Sequence, residues 1–197
     1  MKMKNYPKSL LSGVCLLAFS TIAAQAESHE GHDDKAAHAD HAVQTPLIAK
    51  LVATEGNEVS GTVTFKMADD NKGVGVTMKV KGLKPNAKHA IHVHEFGDLT
   101  SNDGTSAGGH FDPDGHDHGL PDQEMRHTGD LGNLETNAEG VADQSITVTN
   151  MTLTHGKHAV VGRSVVIHVG EDQGTQPAGD AGDRIAVGVI GVQQSAK

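Results

Sequence analysis

Histidine is the residue type in this sequence whose number and spacing could do chemistry. The chain of 197 residues contains 14 His, 25 Asp and Glu, and a single Cys. Imidazole and carboxylate groups bind copper and zinc, whereas one thiol excludes an internal disulfide framework, Cys-rich zinc fingers and iron–sulfur clusters. A net charge of -9 and an aromatic content of 3% argue against a nucleic-acid partner. The composition therefore favours metal chemistry through nitrogen ligands.

Two histidines are separated by one residue in the run His92-Val93-His94. Side chains two positions apart on a β-strand point to the same face, about 7 Å apart at the backbone. His92 and His94 could therefore bind one metal from a rigid base. The alternative is one buried and one exposed ring with no shared role, and a polar loop after the pair makes that alternative the weaker one.

Further possible ligands follow in a long segment without strand signals. His110, His116, His118 and His127 lie in it, and Asp130 stands where the next strand begins. Three histidines and one aspartate match a closed tetrahedral zinc set, and a bound metal would order a loop that has no secondary structure of its own.

Three other histidines lie outside this segment. His168 alternates with Val166 on a late strand, so it could reach the same region from the other side of a barrel. For His89 and His158 we favour structural hydrogen bonding, because a lone strand histidine is more often a satisfied polar group than a ligand.

The segments that must position these residues have the pattern of β-strands. Val, Ile and Thr alternate with polar residues in short runs, and Gly, Asn and Asp turns separate the runs. The expected strands are 59–67, 74–80, 87–95, 141–149, 163–169 and 184–192, and another begins at Asp130. About eight strands in one domain predict an all-β sandwich or barrel. Two strand-poor stretches, 96–127 and 170–183, have the length of functional loops.

The first 26 residues have the three parts of a secretory signal peptide. Lys2, Lys4 and Lys8 precede an apolar run from Leu10 to Ala24, and Ala24-Gln25-Ala26 is a small-x-small cleavage pattern. The apolar run is shorter than the roughly 20 residues of a membrane span. We therefore expect export to a bacterial periplasm or the cell exterior, with no stable membrane association after cleavage; the alternative is a buried N-terminal helix.

Residues 27–45 are predicted to be a polar tail, and 46–197 a single folded domain. The tail has no apolar periodicity, so we expect it to be disordered. Its four histidines are His29, His32, His38 and His41. Such a tract either captures copper or zinc loosely or serves as a soluble spacer.

Five stretches of the chain together resemble the copper,zinc superoxide dismutases. They are HAIHVHEFGD (89–98), GTSAGGHFDPDGHDHG (104–119), RHTGDLGN (126–133), GRSVVIHVGED (162–172) and AGDRIAVGVIG (181–191), in the family's order and near its spacing. The resemblance extends from Ala49 to Val192 and is nearer the eukaryotic-type sequences. It implies an eight-stranded antiparallel Greek-key β-barrel, an immunoglobulin-like sandwich with two long functional loops.

The resemblance also implies two metals and their ligands. Copper would be held by His92, His94, His110 and His168. Zinc would be held by His110, His118, His127 and Asp130, with the imidazolate of His110 bridging both metals. Seven ligand positions in register make this a specific match.

Two further positions match functional residues of the family. Asp172 matches a carboxylate that links a copper histidine to a zinc histidine by hydrogen bonds. Arg184 matches the arginine that guides and binds the anionic substrate beside copper, and His110 would supply a proton. The implied activity is dismutation of superoxide to oxygen and hydrogen peroxide.

Two other classes of function compete with this enzyme. A periplasmic copper/zinc storage or delivery protein would use the same ligands without turnover, but it has no use for the guanidinium of Arg184. A purely structural secreted β-domain would leave the ligand positions unexplained.

The sequence departs from the family in two places. Gly104 and Val187 stand where the family pairs two cysteines, so we expect zinc and packing to hold the loop. The segment between Asp172 and Arg184 is shorter than the family's and contains no Lys. We therefore expect weak long-range attraction of superoxide, with Arg184 as the main local cation.

A homodimer is expected from the same resemblance. Phe96-Gly97, Val161-Gly162 and Val189–Val192 resemble the dimer contact surface of the eukaryotic-type enzymes.

Overall fold

The computed structural model describes residues 45–194, which form eight β-strands and one short 3-10 helix at Thr105–Ala107. The strands are β1 (Leu47–Ala53), β2 (Ser60–Met67), β3 (Val74–Lys81), β4 (Lys88–His94), β5 (Asp130–Glu135), β6 (Ala142–Val148), β7 (Ser164–His168) and β8 (Arg184–Val192). Burial alternates on β3, where Val74, Val76, Met78 and Val80 are buried while the residues between them are not, whereas β4 and β7 are buried along nearly their whole length. Within 45–194, no helix is long and apolar enough to cross a membrane.

All paired strands are antiparallel, and their spatial order is β5-β4-β7-β8-β1-β2-β3-β6. Two connections join strands that are not neighbours in the sheet. The β3–β4 connection leads from β3 to a strand beside β7, and the β5–β6 connection leads back to a strand beside β3, as in a Greek key. The edge strands β5 and β6 meet at one seam, where Gln144 accepts a hydrogen bond from the backbone N–H of Glu135 at 2.5 Å and donates to the carbonyl of Asn133 at 3.3 Å. The barrel is nearly closed, and the prediction of an all-β, eight-stranded antiparallel barrel is confirmed.

The inside of the barrel is apolar. Phe65, Ile91, Leu134, Ile167 and Ile190 are fully buried there. Burial of side chains of this size contributes about 1.5–3 kcal/mol each, and the resulting core gives β4 and β7 a rigid base for the histidines they carry.

The expected strands lie within two residues of the observed ones. The sequence did not delimit β1, whose pattern is diluted by Ala49 and Lys50, although this strand pairs with both β2 and β8. Two connections carry the candidate site, the β4–β5 loop (95–129) and the β7–β8 loop (169–183).

Candidate metal centre

Four histidines, the first cluster, meet at one end of β4 and β7. His92 and His94 lie on β4, His168 ends β7, and His110 enters from the β4–β5 loop through a β-bridge to His94. The ring of His110 lies 3.9 Å from that of His92 and 5.1 Å from that of His94, centroid to centroid. His92, His94 and His168 are buried, and both histidines of the His-x-His pair have donor atoms in the same cluster.

Backbone carbonyls determine which ring nitrogen is free in two of these residues. Nδ1 of His94 donates to the carbonyl of Gly108 at 2.9 Å, and Nδ1 of His168 donates to that of Gly182 at 2.9 Å. Because a carbonyl only accepts, each Nδ1 carries the proton and each Nε2 keeps a lone pair. Both Nε2 atoms are buried without a hydrogen-bond partner.

A carboxylate determines which ring nitrogen of His92 is free. Nε2 of His92 donates to Oδ2 of Asp172 at 2.9 Å, and Nδ1 of His92 is buried without a hydrogen-bond partner. A buried polar atom left unpaired costs about 1–3 kcal/mol. Three such nitrogens meet in one cluster. A metal ion explains them, because it would give each nitrogen a binding partner.

A second cluster, which shares His110, surrounds the carboxylate of Asp130. Oδ1 of Asp130 lies 3.0 Å from Nδ1 of His110, 3.0 Å from Nδ1 of His118 and 3.3 Å from Nδ1 of His127. Nδ1 of His110 lies 3.4 Å from that of His127. Ligands about 2.0–2.1 Å from a tetrahedral zinc ion are about 3.3 Å from one another. The four atoms therefore have the spacing of a zinc site.

The hydrogen bonds around Asp130 leave Oδ1 to the histidines. Oδ2 accepts from the backbone N–H groups of Gly119 and His127, each at 3.0 Å. Nδ1 of His118 lies close to Oδ1 yet has no hydrogen bond of acceptable geometry. A shared cation explains this contact better than a shared proton.

The donor atoms of two groups lie within 4.8 Å of one another, namely His92, His94, His110 and His168, and His92, His110, His118 and Asp130. In the second group His127 suits a tetrahedral set better than His92. Nδ1 of His127 lies 3.3 Å from Oδ1 of Asp130, whereas His92 already belongs to the first cluster.

Asp172 connects the two clusters. Its Oδ2 accepts from His92 of the first cluster, and its Oδ1 accepts from Nε2 of His118 of the second, each at 2.9 Å. Its backbone is held in turn by Asn133, whose side chain accepts from the N–H of Asp172 at 2.7 Å and donates to its carbonyl at 3.0 Å. One carboxylate thus sets the tautomer of a histidine in each cluster.

The two clusters differ in electrostatics. Burial lowers the pKa of His92 to about 3, that of His94 to about 2 and that of His168 to about 4. Burial also acts to lower the pKa of His118, but the carboxylates of Asp130 and Asp172 outweigh it and raise the pKa to about 9. His92, His94 and His168 of the first cluster are therefore neutral, as metal ligands must be, whereas the second cluster lies in the field of two carboxylates, which favours a cation.

Arg184 stands at the start of β8, beside the first cluster. Its guanidinium donates to the carbonyls of Gly104 and Gly108, each at 2.6 Å. The carbonyl of Gly108 also accepts from His94, so a short chain of hydrogen bonds joins Arg184 to that ring. A guanidinium has five N–H donors, so further donors are free to bind an anion. Arg184, His94, His110 and His168 line one cleft of about 580 Å³.

Residues 59–190 of the chain match the family model described as Copper/zinc superoxide dismutase (SODC). The chain belongs to the copper/zinc superoxide dismutase family. It is similar to the "Superoxide dismutase [Cu-Zn]" of Yarrowia lipolytica, with 48% identity over 151 residues that cover 73% of this chain and 97% of that protein. It is also similar to the "Extracellular superoxide dismutase [Cu-Zn]" of Drosophila melanogaster, with 46% identity over 149 residues, 72% of this chain and 81% of that protein.

A solved structure has the same fold. The crystal structure of a double mutant of a SOD-like protein from Bacillus subtilis superposes with a TM-score of 0.66 at 34% identity, over 73% of this chain and 96% of that one. Membership of the superoxide dismutase family identifies the chain as an enzyme of superoxide dismutation whose metals are copper and zinc. A storage or delivery protein without turnover is not favoured.

The superoxide dismutase fold brings the two positions of the absent disulfide together. A Cβ atom at Gly104 would lie 2.8 Å from Cγ1 of Val187 and 3.4 Å from Cγ2 of Thr54. Gly104 has a φ of 78°, a left-handed conformation that favours glycine. Contact with Val187 and the hydrogen bond from Arg184 tie the loop to β8 here.

The two histidines assigned to structural roles, His89 and His158, and His116 of the β4–β5 loop each have a hydrogen-bond partner and belong to neither cluster. Nδ1 of His89 donates to the carbonyl of His168 at 3.0 Å. His116 donates to the carbonyl of Arg126 at 3.2 Å, and His158 lies 3.1 Å from the hydroxyl of Thr128. His158 lies in the connection before β7, so the prediction that it is a strand residue is wrong.

Sequence reasoning missed the groups that orient the rings. The carbonyls of Gly108 and Gly182 have no side-chain signal, since any residue has a carbonyl. Asn133 lies within the RHTGDLGN motif, but only its contact with Asp172 reveals its role. Gln176, which contacts the backbone of His118, lies in a segment that matched no motif.

Proposed function

We propose that the first cluster holds copper and the second holds zinc. The copper ligands are His92, His94, His110 and His168. The zinc ligands are His110, His118, His127 and Asp130. The observation that carries this assignment is the set of buried, unpartnered nitrogens of His92, His94 and His168, which face one another beside His110.

In the overall reaction, two superoxide ions and two protons give one oxygen and one hydrogen peroxide. The chain's own residues position two of these reactants, a proton and superoxide. Bound copper supplies the one-electron couple, and bound zinc fixes the orientation and basicity of His110. His110 directs Nδ1 to Asp130 and the second cluster, which leaves Nε2 facing the first. We assign to Nε2 of His110 the holding and delivery of one of the two protons.

Arg184 has the role of binding and orienting superoxide. Its two hydrogen bonds to loop carbonyls fix the guanidinium at the wall of the cleft, and its remaining N–H groups are available to an anion that enters it. An anchored cation costs little reorganisation when the charged substrate arrives.

Metal analysis combined with a dismutation assay tests the assignment. The purified protein without residues 1–26 should bind one copper and one zinc per chain and remove superoxide in the assay. A loaded protein with both metals and no turnover would contradict the assignment of Arg184 and His110.

We propose further that the protein forms a homodimer through the Phe96–Val189 surface, defined as Phe96, Gly97, Val161, Gly162 and Val189. Phe96 is 54% exposed, and Val161 and Val189 are 37% and 38% exposed. A Cβ at Gly97 would collide with the carbonyl of Gly162 and lie 3.1 Å from Val189, which shows that these residues form one continuous patch.

Sedimentation of wild type and Val189→Arg tests the dimer. We expect a dimer for wild type and a monomer for the variant, because a charge at the centre of an apolar contact is not compensated. A monomeric wild type would refute the proposal.

Export of the chain is also proposed, to a bacterial periplasm or the cell exterior, after cleavage behind Ala26. The supporting observations are the tripartite pattern of residues 1–26 and the similarity to a dismutase named as extracellular. Residues 1–26 and positions 27–44 of the tail lie outside the described residues. N-terminal sequencing of the exported protein should begin at Glu27; an uncleaved, intracellular protein would refute it.

A further inference from the structure

Gln176 lies in the β7–β8 loop, and its amide makes two hydrogen bonds to one residue of the β4–β5 loop. Oε1 of Gln176 accepts from the backbone N–H of His118 at 3.1 Å, and Nε2 donates to the backbone carbonyl of His118 at 2.8 Å. Gln176 also lines the cleft in front of the first cluster. One side chain at the rim of that cleft therefore satisfies both backbone groups of a residue in the second cluster.

The ring of His118 is held from the same loop. Asp172 accepts from Nε2 of His118 at 2.9 Å, and the backbone N–H of Gly174 donates to the same carboxylate oxygen at 2.9 Å. Gly179 covers this hydrogen bond: with a φ of 79° it leaves no room for a Cβ, which would collide with Asp172 and lie 3.0 Å from Nε2 of His118. The loop thus contacts the ring and the backbone of one histidine.

The β7–β8 loop has its own internal hydrogen bonds. The backbone N–H of Gly170 donates to the carbonyl of Ala181 at 2.9 Å, and that of Gly179 donates to the carbonyl of Thr175 at 2.7 Å. Gln176 is therefore presented from a braced segment. His118, by contrast, lies in irregular chain between β4 and β5, so its backbone position depends on such contacts.

We propose that Gln176 is a positioning residue for His118. By pairing with the N–H and carbonyl of His118, it holds Nδ1 of that residue at the second cluster, as Asp172 holds the ring. Retention of zinc then depends on a side chain at the rim of the cleft in front of the first cluster. This inference rests on the proposed assignment of His118 to zinc.

Three variants test the role of Gln176. Gln176→Met keeps the chain length and removes both hydrogen bonds, while Gln176→Glu keeps the acceptor and loses the donor. Gln173→Met is the matched control, because Gln173 is exposed in the same loop and its side chain makes no hydrogen bond within 45–194. The measurements are the rate of zinc transfer from the loaded protein to a chromophoric chelator, and the absorption spectrum of Co²⁺ bound in place of zinc.

We expect Gln176→Met to release zinc about tenfold faster than wild type, the lower end of the effect of losing a group that orients a ligand. Gln176→Glu should release it at least as fast, because a carboxylate cannot donate to the carbonyl of His118. Both should alter the Co²⁺ spectrum, and Gln173→Met should leave rate and spectrum unchanged.

A wild-type release rate and Co²⁺ spectrum in Gln176→Met would overturn the inference. So would an equal fall in the melting temperature of the metal-free and zinc-loaded forms with no change in rate, since that marks a merely structural role. His118→Ala distinguishes failure of the zinc assignment from failure of the inference about Gln176. If this variant releases zinc at the wild-type rate, the assignment of His118 itself fails. If it loses zinc while Gln176→Met does not, only the inference about Gln176 fails.

Discussion

The two clusters of the metal centre share His110 but are built from different parts of the chain. Three first-cluster histidines lie on β4 and β7, and backbone carbonyls and Asp172 fix their rings. In the second cluster, His118 and His127 lie on the β4–β5 loop, and only Asp130 belongs to a strand. The first cluster is therefore positioned by the barrel, whereas the second depends on carboxylates, on contacts between loops and, under the proposed assignment, on bound zinc.

Charge follows the same division. Burial keeps His92, His94 and His168 neutral, with the pKa of His94 lowered to about 2, while carboxylates raise the pKa of His118 to about 9. The proposed assignment of copper to the first cluster and zinc to the second therefore places catalysis in the strand-borne cluster and loop order in the other.

The sharpest test of this comparison is to remove one ligand from each cluster. His94→Ala should lose copper and reduce dismutation by more than about a hundredfold, because it deletes a ligand itself rather than an orienting partner, whose loss costs about 10–100-fold. His127→Ala should lose zinc but retain copper and measurable activity. Metal content and superoxide removal by the copper-loaded proteins measure both effects. Wild-type turnover in copper-loaded His94→Ala would show that the copper assignment is wrong.

Removal of each metal in turn tests the role of the second cluster in loop order. Zinc removal should lower the melting temperature by about 10 °C, because a ligand at a thousand times its Kd stabilises by about 4 kcal/mol and each kcal/mol moves Tm by about 2–4 °C. Copper removal should have a smaller effect, since the strands hold its ligands. Calorimetry with metal-selective chelators measures both. A melting curve that zinc removal leaves unchanged would contradict this account.

A covalent tether should reduce the dependence of the loop on zinc. The double variant Gly104→Cys with Val187→Cys joins positions that already touch. A disulfide typically adds about 2–4 kcal/mol, and a non-glycine residue at the left-handed Gly104 costs about 1–3 kcal/mol. We expect a rise in Tm of a few degrees, larger in the zinc-free protein. The reduced double variant is the control, and an oxidised form with wild-type sensitivity to chelator would count against the role of the tether.

The smallest expected effect concerns attraction of the substrate to the first cluster. Asp180 lines the same cleft as Arg184 and opposes its charge. Asp180→Lys should raise kcat/KM several-fold at low salt and make it fall with ionic strength, whereas wild type should respond little. Glu139→Lys, in the turn between β5 and β6, makes the same change in net charge away from the cleft and is the matched control. Steep salt dependence in wild type would show that other charges attract superoxide.

Much of the fold and centre followed from residue types and alternation. The buried positions of β3 recur every second residue, so this strand was predictable, and His92 and His94 share a face because of the same two-residue period. The candidate ligands could be picked out from the sequence because a ligand's chemistry lies in its own side chain, and the fold brings them together in two clusters. The division of seven residues between two metals came from the resemblance, since spacing along the chain does not say which of two clusters a loop residue joins.

The proximity of Gly104 and Val187 could not be predicted from the sequence pattern. Their side chains have no polar group to mark a contact 83 residues apart in sequence, and only the closed barrel places them together. The same holds for the Gln144 bridge at the β5–β6 seam, where two edges meet only because all other strands have paired.

The sequence by itself determined the all-β class, the set of possible metal ligands and the loss of the family's disulfide, because each depends on residue identity or local alternation. Tertiary structure decided which nitrogen of each ring is free, how Asp172 links the clusters and how Gln176 contacts His118. Those properties depend on backbone carbonyls and on two loops that meet in space. A carbonyl is common to every residue, so only the fold can give one of them a specific partner.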